Sequence, residues 1–214
     1  MSRGLFITFE GSEGCGKSTQ IRVLAERLEA AGRAVVLLRE PGGTVVGEKI
    51  RDLLQYTPEA KGMVAEAELL LFAASRAQLV REKIEPALAG GAVVVADRFH
   101  DSTTVYQGVG RGLDAAAVAG VNGLAIGGCE PDVTFLLDLE GEEARARLAG
   151  RTDAVEDRME QEPDAFYERV RAGYLALAER ESERFEIMDA GLGIERLGEQ
   201  IWKVLERRPG GVLS

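Results

Sequence analysis

Residues 7–20 read ITFEGSEGCGKSTQ, a β-branched and aromatic run that breaks into glycines and then into a lysine and two hydroxyls. Within it, Gly11-Ser12-Glu13-Gly14-Cys15-Gly16-Lys17-Ser18 fits the pattern G-x-x-x-x-G-K-[ST], with a strand pattern before it and a helical pattern after it. Glycines let backbone N–H groups converge on phosphate oxygens, and the N-terminus of the following helix adds its dipole. Lys17 is placed to reach β- and γ-phosphates, and Ser18 offers a hydroxyl to Mg2+. Gly11 through Thr19 is therefore the candidate triphosphate site; the bland alternative is a glycine-rich turn that holds no ligand. Glu13 is out of place in such a cradle. An inward carboxylate would repel the triphosphate, so Glu13 is expected to point toward a second ligand that carries a hydroxyl.

Working outward, strand and helix patterns alternate along the chain. Strands are expected near residues 5–9, 34–38, 90–98 (GGAVVVADR), 131–140 (PDVTFLLDLE) and 184–190 (RFEIMDA). Helices are expected over 18–31, 46–55, 66–88, 114–126 and 164–181, with a last amphipathic helix carrying Leu197, Ile201 and Leu205. Five strands alternating with helices predict an α/β fold in three layers, a five-stranded parallel sheet with helices on both faces. Ligands then sit beyond the carboxyl ends of the strands. Residues 149–164 are charged and without apolar period, and are the expected mobile lid of a single domain spanning 1–214.

Composition narrows the function. The chain has 214 residues, 45% of them hydrophobic, and a net charge of −10 from 26 basic and 36 acidic residues. An acidic balance disfavours nucleic acid and anionic membranes as partners. Cys15, Cys129 and the single histidine, His100, form no zinc, iron–sulfur or disulfide pattern, which points to a reducing cytoplasm. From Gly4 the chain meets a glutamate after six residues, too soon for a signal-peptide core, and no stretch is apolar enough to span a membrane.

Other residues stand in unexpected places. In EAELLLFAASRAQLV (66–80), Leu69, Phe72, Ala73, Arg76, Leu79 and Val80 share one helical stripe, so Arg76 occupies an apolar position. Phe72 and Arg76, four apart, suit stacking on a nucleobase and bonding its edge; equally, the arginine's stem packs on the core while its head meets Glu66, Glu68 or solvent. VVVADRFHDSTTVYQG (93–108) ends a buried strand in Asp97-Arg98, either a metal-steering acid and a phosphoryl-holding base or a structural ion pair. Ser102, Thr103, Tyr106 and Gln107 follow at helical spacing, as a polar pocket face or a solvated turn. In LREPGGTVVGEKIRD (38–52), Arg39 and Glu40 end the second strand, Pro41 turns the chain, and Arg51 is able to face back. The lid region carries Arg147, Arg151 and Arg158, individually unremarkable as solvated charges.

Taken in order, FEGSEGCGKST, REPGGT, FAASRAQ, DRFHDSTTVYQGVGRG, DRMEQE and FYERVRAGYLALA resemble the successive signatures of the thymidylate kinase family, from residue 6 to about 178. The resemblance implies a P-loop nucleoside monophosphate kinase fold with a lid, Mg2+ and ATP as donor, thymidine monophosphate as acceptor, and a homodimer. It implies that Lys17 and the loop hold the ATP phosphates and that Glu13 faces the acceptor sugar. Phe72 would stack on thymine, Arg76 would reach its edge, and Arg39, Arg51 and Arg98 would surround the acceptor phosphate beside Glu40 and Pro41. Asp97 would sit near the metal with Ser18. Ser102, Thr103, Tyr106 and Gln107 would line the nucleoside pocket, Tyr106 below the sugar where a 2′-hydroxyl clashes. The phosphate loop lacks the arginine that some members carry. This resembles the bacterial arrangement, in which lid arginines, here Arg151 and then Arg158, complete the catalytic charge. A kinase of another nucleoside monophosphate is the nearest rival. A regulatory GTP-binding switch lacks its N-K-x-D motif, since the only asparagine is Asn122, followed by Gly123.

Overall fold

The first strand, β1 (Phe6–Glu10), is buried along its whole length, so both of its faces are covered. The computed structural model describes residues 3–150, 158–159 and 162–208. Most of the expected lid, Arg151 included, lies outside the described residues. In chain order β1 is followed by α1 (Lys17–Ala30), β2 (Val35–Arg39), α2 (Val45–Gln55) and α3 (Ala65–Leu79). Then come α4 (Glu85–Ala89), β3 (Val93–Asp97), α5 (His100–Thr103), α6 (Ala115–Ile126) and β4 (Val133–Asp138). The described chain ends with α7 (Gly141–Ala149), α8 (Asp164–Arg180), β5 (Phe185–Asp189) and α9 (Ile194–Arg207). The strands form a five-stranded sheet in the order β2-β3-β1-β4-β5, every neighbouring pair parallel.

Alternation along the strands decides the layers. Ile7 and Phe9 of β1, with Val93 and Val95 of β3, pack against Leu24 and Leu28 of α1 and Ile201 and Leu205 of α9. Phe6, Val94 and Ala96 face the other way, onto Leu79, Ile84 and Leu88. On that second face β4 and β5 give Leu136 and Phe185 to Phe166, Val170 and Tyr174 of α8. Burial of this kind is worth about 25 cal/mol per Å2 of apolar surface, and it holds the strand ends rigidly.

Two local readings are corrected and one open alternative is decided. The expected helix over 66–88 runs without a break but is not one regular α-helix: α3 ends at Leu79, a wide π-type turn spans Val80–Ile84, and α4 follows. Pro86 lacks the N–H that would bond back into the preceding turn, which is one reason the ladder changes there. Arg147 lies in α7, a helix not anticipated from the sequence, and not in the lid. Of the two readings left open after Arg98, the structure carries the helical one and not the solvated turn: α5 and a π-helical stretch, Thr104–Gly110, with Thr103, Val105, Tyr106 and Gln107 buried.

Candidate active site

Parallel register sets Arg39, Asp97 and Phe9 abreast at the carboxyl edge of the sheet. A cavity of about 740 Å3 opens there. Its lining follows the strand order: Arg39, Glu40 and Pro41 after β2, Asp97 and Arg98 after β3, residues 13–18 after β1, and Ala190 to Ile194 after β5. A cavity running across four strand ends is long enough in plan for two ligands, with the phosphate loop between them.

The loop owes its path to glycines. Gly11 has φ 132, and a Cβ there would lie 2.6 Å from the Leu137 carbonyl oxygen; Gly14 has φ 78 and the same clearance from the Ala144 carbonyl oxygen. The loop is thus seated directly on β4 and α7. Lys17 Nζ donates to the carbonyls of Gly11 at 3.0 Å and Ser12 at 2.9 Å, which draws the ammonium over the loop. The Ser18 hydroxyl donates to Asp97 Oδ2 at 3.1 Å. Two hard oxygens side by side suit Mg2+, which takes one or two protein ligands together with substrate phosphates. Among the described residues no cluster of three His, Cys, Asp or Glu side chains forms a closed metal cage.

The acceptor side centres on Arg98. Among the described residues it is the one non-glycine residue with positive φ, 72°. Such a backbone is strained and persists where its surroundings over-determine it. Here Arg98 donates to Glu13 Oε1 at 2.7 Å, Tyr106 at 3.2 Å, Ser102 at 3.1 Å and Tyr174 at 3.3 Å. Tyr106 also donates to Glu13 Oε2 at 2.8 Å. Burial pushes the Glu13 carboxyl up, but the charges of Arg98 and Lys17 and the Tyr106 bond outweigh it and leave Glu13 below the usual range. Glu13 does leave the phosphate cradle, as its charge demands, and lines the cavity against Arg98 and Tyr106. Beneath them Glu10 is fully buried and accepts from the Phe99 N–H, Ser102 and Tyr174.

Arg39, Arg51 and Phe72 also line the cavity, with Ser102, Thr103 and Gln107. Arg39 pairs with Glu48 at 3.1 Å, and Arg51 donates to the Pro41 carbonyl at 3.0 Å. Arg76 differs from expectation. It is 1% exposed, absent from the lining, and donates to Glu40, Asn122, Thr103 and the Phe99 carbonyl. A guanidinium so engaged braces the pocket wall from behind, with its donors directed to Glu40, Asn122, Thr103 and the Phe99 carbonyl. Arg158 also departs from expectation: it donates to the Leu54 carbonyl and to Glu68 and does not line the cavity. Its charge is spent on a buried carboxylate nearby.

Sequence reasoning missed Glu10, Tyr174 and Glu68, whose partners are far away in the chain. It also missed the far end of the cavity, where Arg147 donates to Glu143 at 2.7 Å and the Ala190 carbonyl at 3.0 Å. The Ala190-Gly191-Leu192-Gly193 turn after the last strand was the available signal.

Comparison with known proteins agrees with this geometry. The family model described as Thymidylate kinase matches residues 9–201. The thymidylate kinase of Geobacter sulfurreducens is 49% identical over 209 residues, covering 96% of this chain and 98% of that protein. That of Desulfosudis oleivorans is 51% identical over 211 residues, with the same coverage. A crystal structure of thymidylate kinase from Ehrlichia chaffeensis superposes with a TM-score of 0.76 at 36% identity, covering 95% of this chain and 99% of that one. Matched by the family model from residue 9 to 201 and by relatives at about half identity over nearly its whole length, the chain belongs to the thymidylate kinase family.

Proposed function

We propose that this protein transfers the γ-phosphoryl group of ATP to thymidine monophosphate, giving thymidine diphosphate and ADP. The observation that carries the reading is one cavity lined by the triphosphate loop and, on the β2–β3 side, by Arg39, Arg51 and Arg98, with Phe72 in the same lining. The donor base then falls on the other side, near Arg147 and the loop after β5. Cations and an aromatic ring lining one cavity suit an acceptor that is both aromatic and phosphorylated.

Bringing two anions together sets the barrier, so positive charge and alignment matter more than a nucleophilic side chain. The acceptor phosphate is itself the nucleophile and is largely anionic at neutral pH. Its oxygen bonds to the γ-phosphorus as the bond to the β–γ bridging oxygen breaks. Lys17 steadies the donor phosphates, Arg98 holds the acceptor, and Arg39 and Arg51 align it. Ser18 and Asp97 would hold Mg2+, which when bound neutralises charge on the phosphates. Glu13 and Tyr106 lie where the sugar of the acceptor would be read. Arg151 supplies closing charge ahead of Arg158, which Glu68 engages. The chain acts as one domain, and free buried Cys15 and Cys129 suit the cytoplasm. The test is ATP consumption against a panel of nucleoside monophosphates: thymidine monophosphate leads, and preference for AMP or GMP refutes the assignment.

A further inference from the structure

α3 carries Glu68, Phe72 and Arg76 one turn apart on one face. Phe72 lines the cavity, and Glu68 beside it is 1% exposed. The Glu68 carboxylate accepts from Gln107 Nε2 at 2.8 Å and Arg111 Nε at 3.1 Å on one oxygen. On the other it accepts from a second Arg111 nitrogen at 3.2 Å and from Arg158. Burial pushes this carboxyl up, but the bonds from Arg111, Gln107 and Arg158 hold it below its ordinary range. At neutral pH it is therefore ionised and able only to accept.

A carboxamide has nearly the same shape when turned over, yet its two ends have opposite polarity. An unconstrained glutamine offers a ligand either a donor or an acceptor. Beside an acceptor-only group, only the Gln107 amino group is able to face α3. The carbonyl oxygen is then what the amide carries on its other branch, and Gln107 is a cavity-lining residue.

We propose that Glu68 is a positioning residue for base selection: it fixes the Gln107 amide with its nitrogen toward α3 and its oxygen toward the base. The site then favours a pyrimidine whose ring N3 bears hydrogen, thymine or uracil, over cytosine, whose N3 is a lone pair. Selection operates by repulsion as well as attraction, because the flipped amide that would suit cytosine leaves its oxygen facing a carboxylate. This inference rests on the reading of the cavity as the thymidine monophosphate site.

The experiment compares kcat and KM for thymidine monophosphate and deoxycytidine monophosphate in the wild type, Glu68→Gln, Gln107→Met and Arg111→Ala. In Glu68→Gln the neutral amide pairs with Gln107 in either orientation. The ratio of the two kcat/KM values is expected to fall about tenfold or more, mainly through KM for thymidine monophosphate. Gln107→Met loses the same ratio while keeping Glu68 paired with its arginines. Arg111→Ala keeps the Glu68–Gln107 bond and leaves the ratio unchanged. If Glu68→Gln lowers both substrates equally, Glu68 only anchors Arg111 and Arg158, and the proposal is overturned. Should Glu68→Gln fail to fold, an undiminished ratio in Gln107→Met overturns it independently. A wild type that rejects thymidine monophosphate would instead refute the functional reading itself.

Discussion

Arg98 is gripped by Glu13, Tyr106, Ser102 and Tyr174, and its left-handed backbone turns the guanidinium back over the cavity. Arg98→Ala removes a preorganised charge and is expected to lower kcat by about a hundredfold or more, with near-normal turnover contradicting the catalytic assignment. His100 makes a second prediction at this scale. It is buried beside Asp101 on α5 and Glu130 before β4, with Arg76 of α3 nearby. Burial lowers its pKa, but the two carboxylates outweigh burial and raise it above the ordinary 6.5. The stabilisation from a raised histidine is fully present below the unfolded pKa and is lost as pH rises through the folded one. Melting temperature should therefore fall as pH climbs from about 6.5 upward, and His100→Gln should flatten that slope. The same residues show what sequence allows. That Arg76 sits on the buried stripe was legible from its spacing. That it meets Glu40 and Asn122 was not, because those partners are 36 and 46 residues away and only the tertiary fold brings them close.

Elements explain the site's shape better than any single side chain. The loop between β1 and α1 presses on β4 and α7 through Gly11 and Gly14, so its curvature is set by contacts as well as by glycine freedom. Gly11→Ala places a methyl group against the Leu137 carbonyl at a φ that side chains resist. A destabilisation of about 1–3 kcal/mol and a rise in KM for ATP are expected, measured by melting and initial rates. Strand identities were readable because buried parallel strands are runs of valine and other apolar residues, as in Val93 to Ala96. The helix α7 was not, since Glu142, Glu143 and Arg147 give it a charged sequence with only Ala144 buried.

At the scale of the whole molecule, α3 packs between α2 and α6, and each leaves apolar side chains exposed: Val45 at 78%, Leu70 at 58% and Leu124 at 83%. We propose these helices as the surface of the homodimer that the family resemblance implies, since exposed apolar residues on neighbouring helices suit association. Leu124→Glu should shift the protein toward monomer in analytical ultracentrifugation, and an unchanged sedimentation coefficient would place the contact elsewhere. The order of strands across the sheet was not legible, because the sequence shows which segments are strands but not which of them neighbour each other. The wide turn at Val80–Ile84 bears on how this chain tolerates change in length. A turn that closes one residue late holds one residue more than an α-helical turn, so shortening it by one restores a regular helix and keeps the phase on both sides. Deleting exposed Lys83, with Pro86→Ala to restore the N–H a regular helix needs, should then leave a folded enzyme. Deleting Ala74, also exposed, rotates Glu68 and Phe72 by about 100° relative to Arg76 and Leu79 and should abolish the pocket. Drift in chain length is therefore expected to collect at that turn, while the helix before it keeps its residue count.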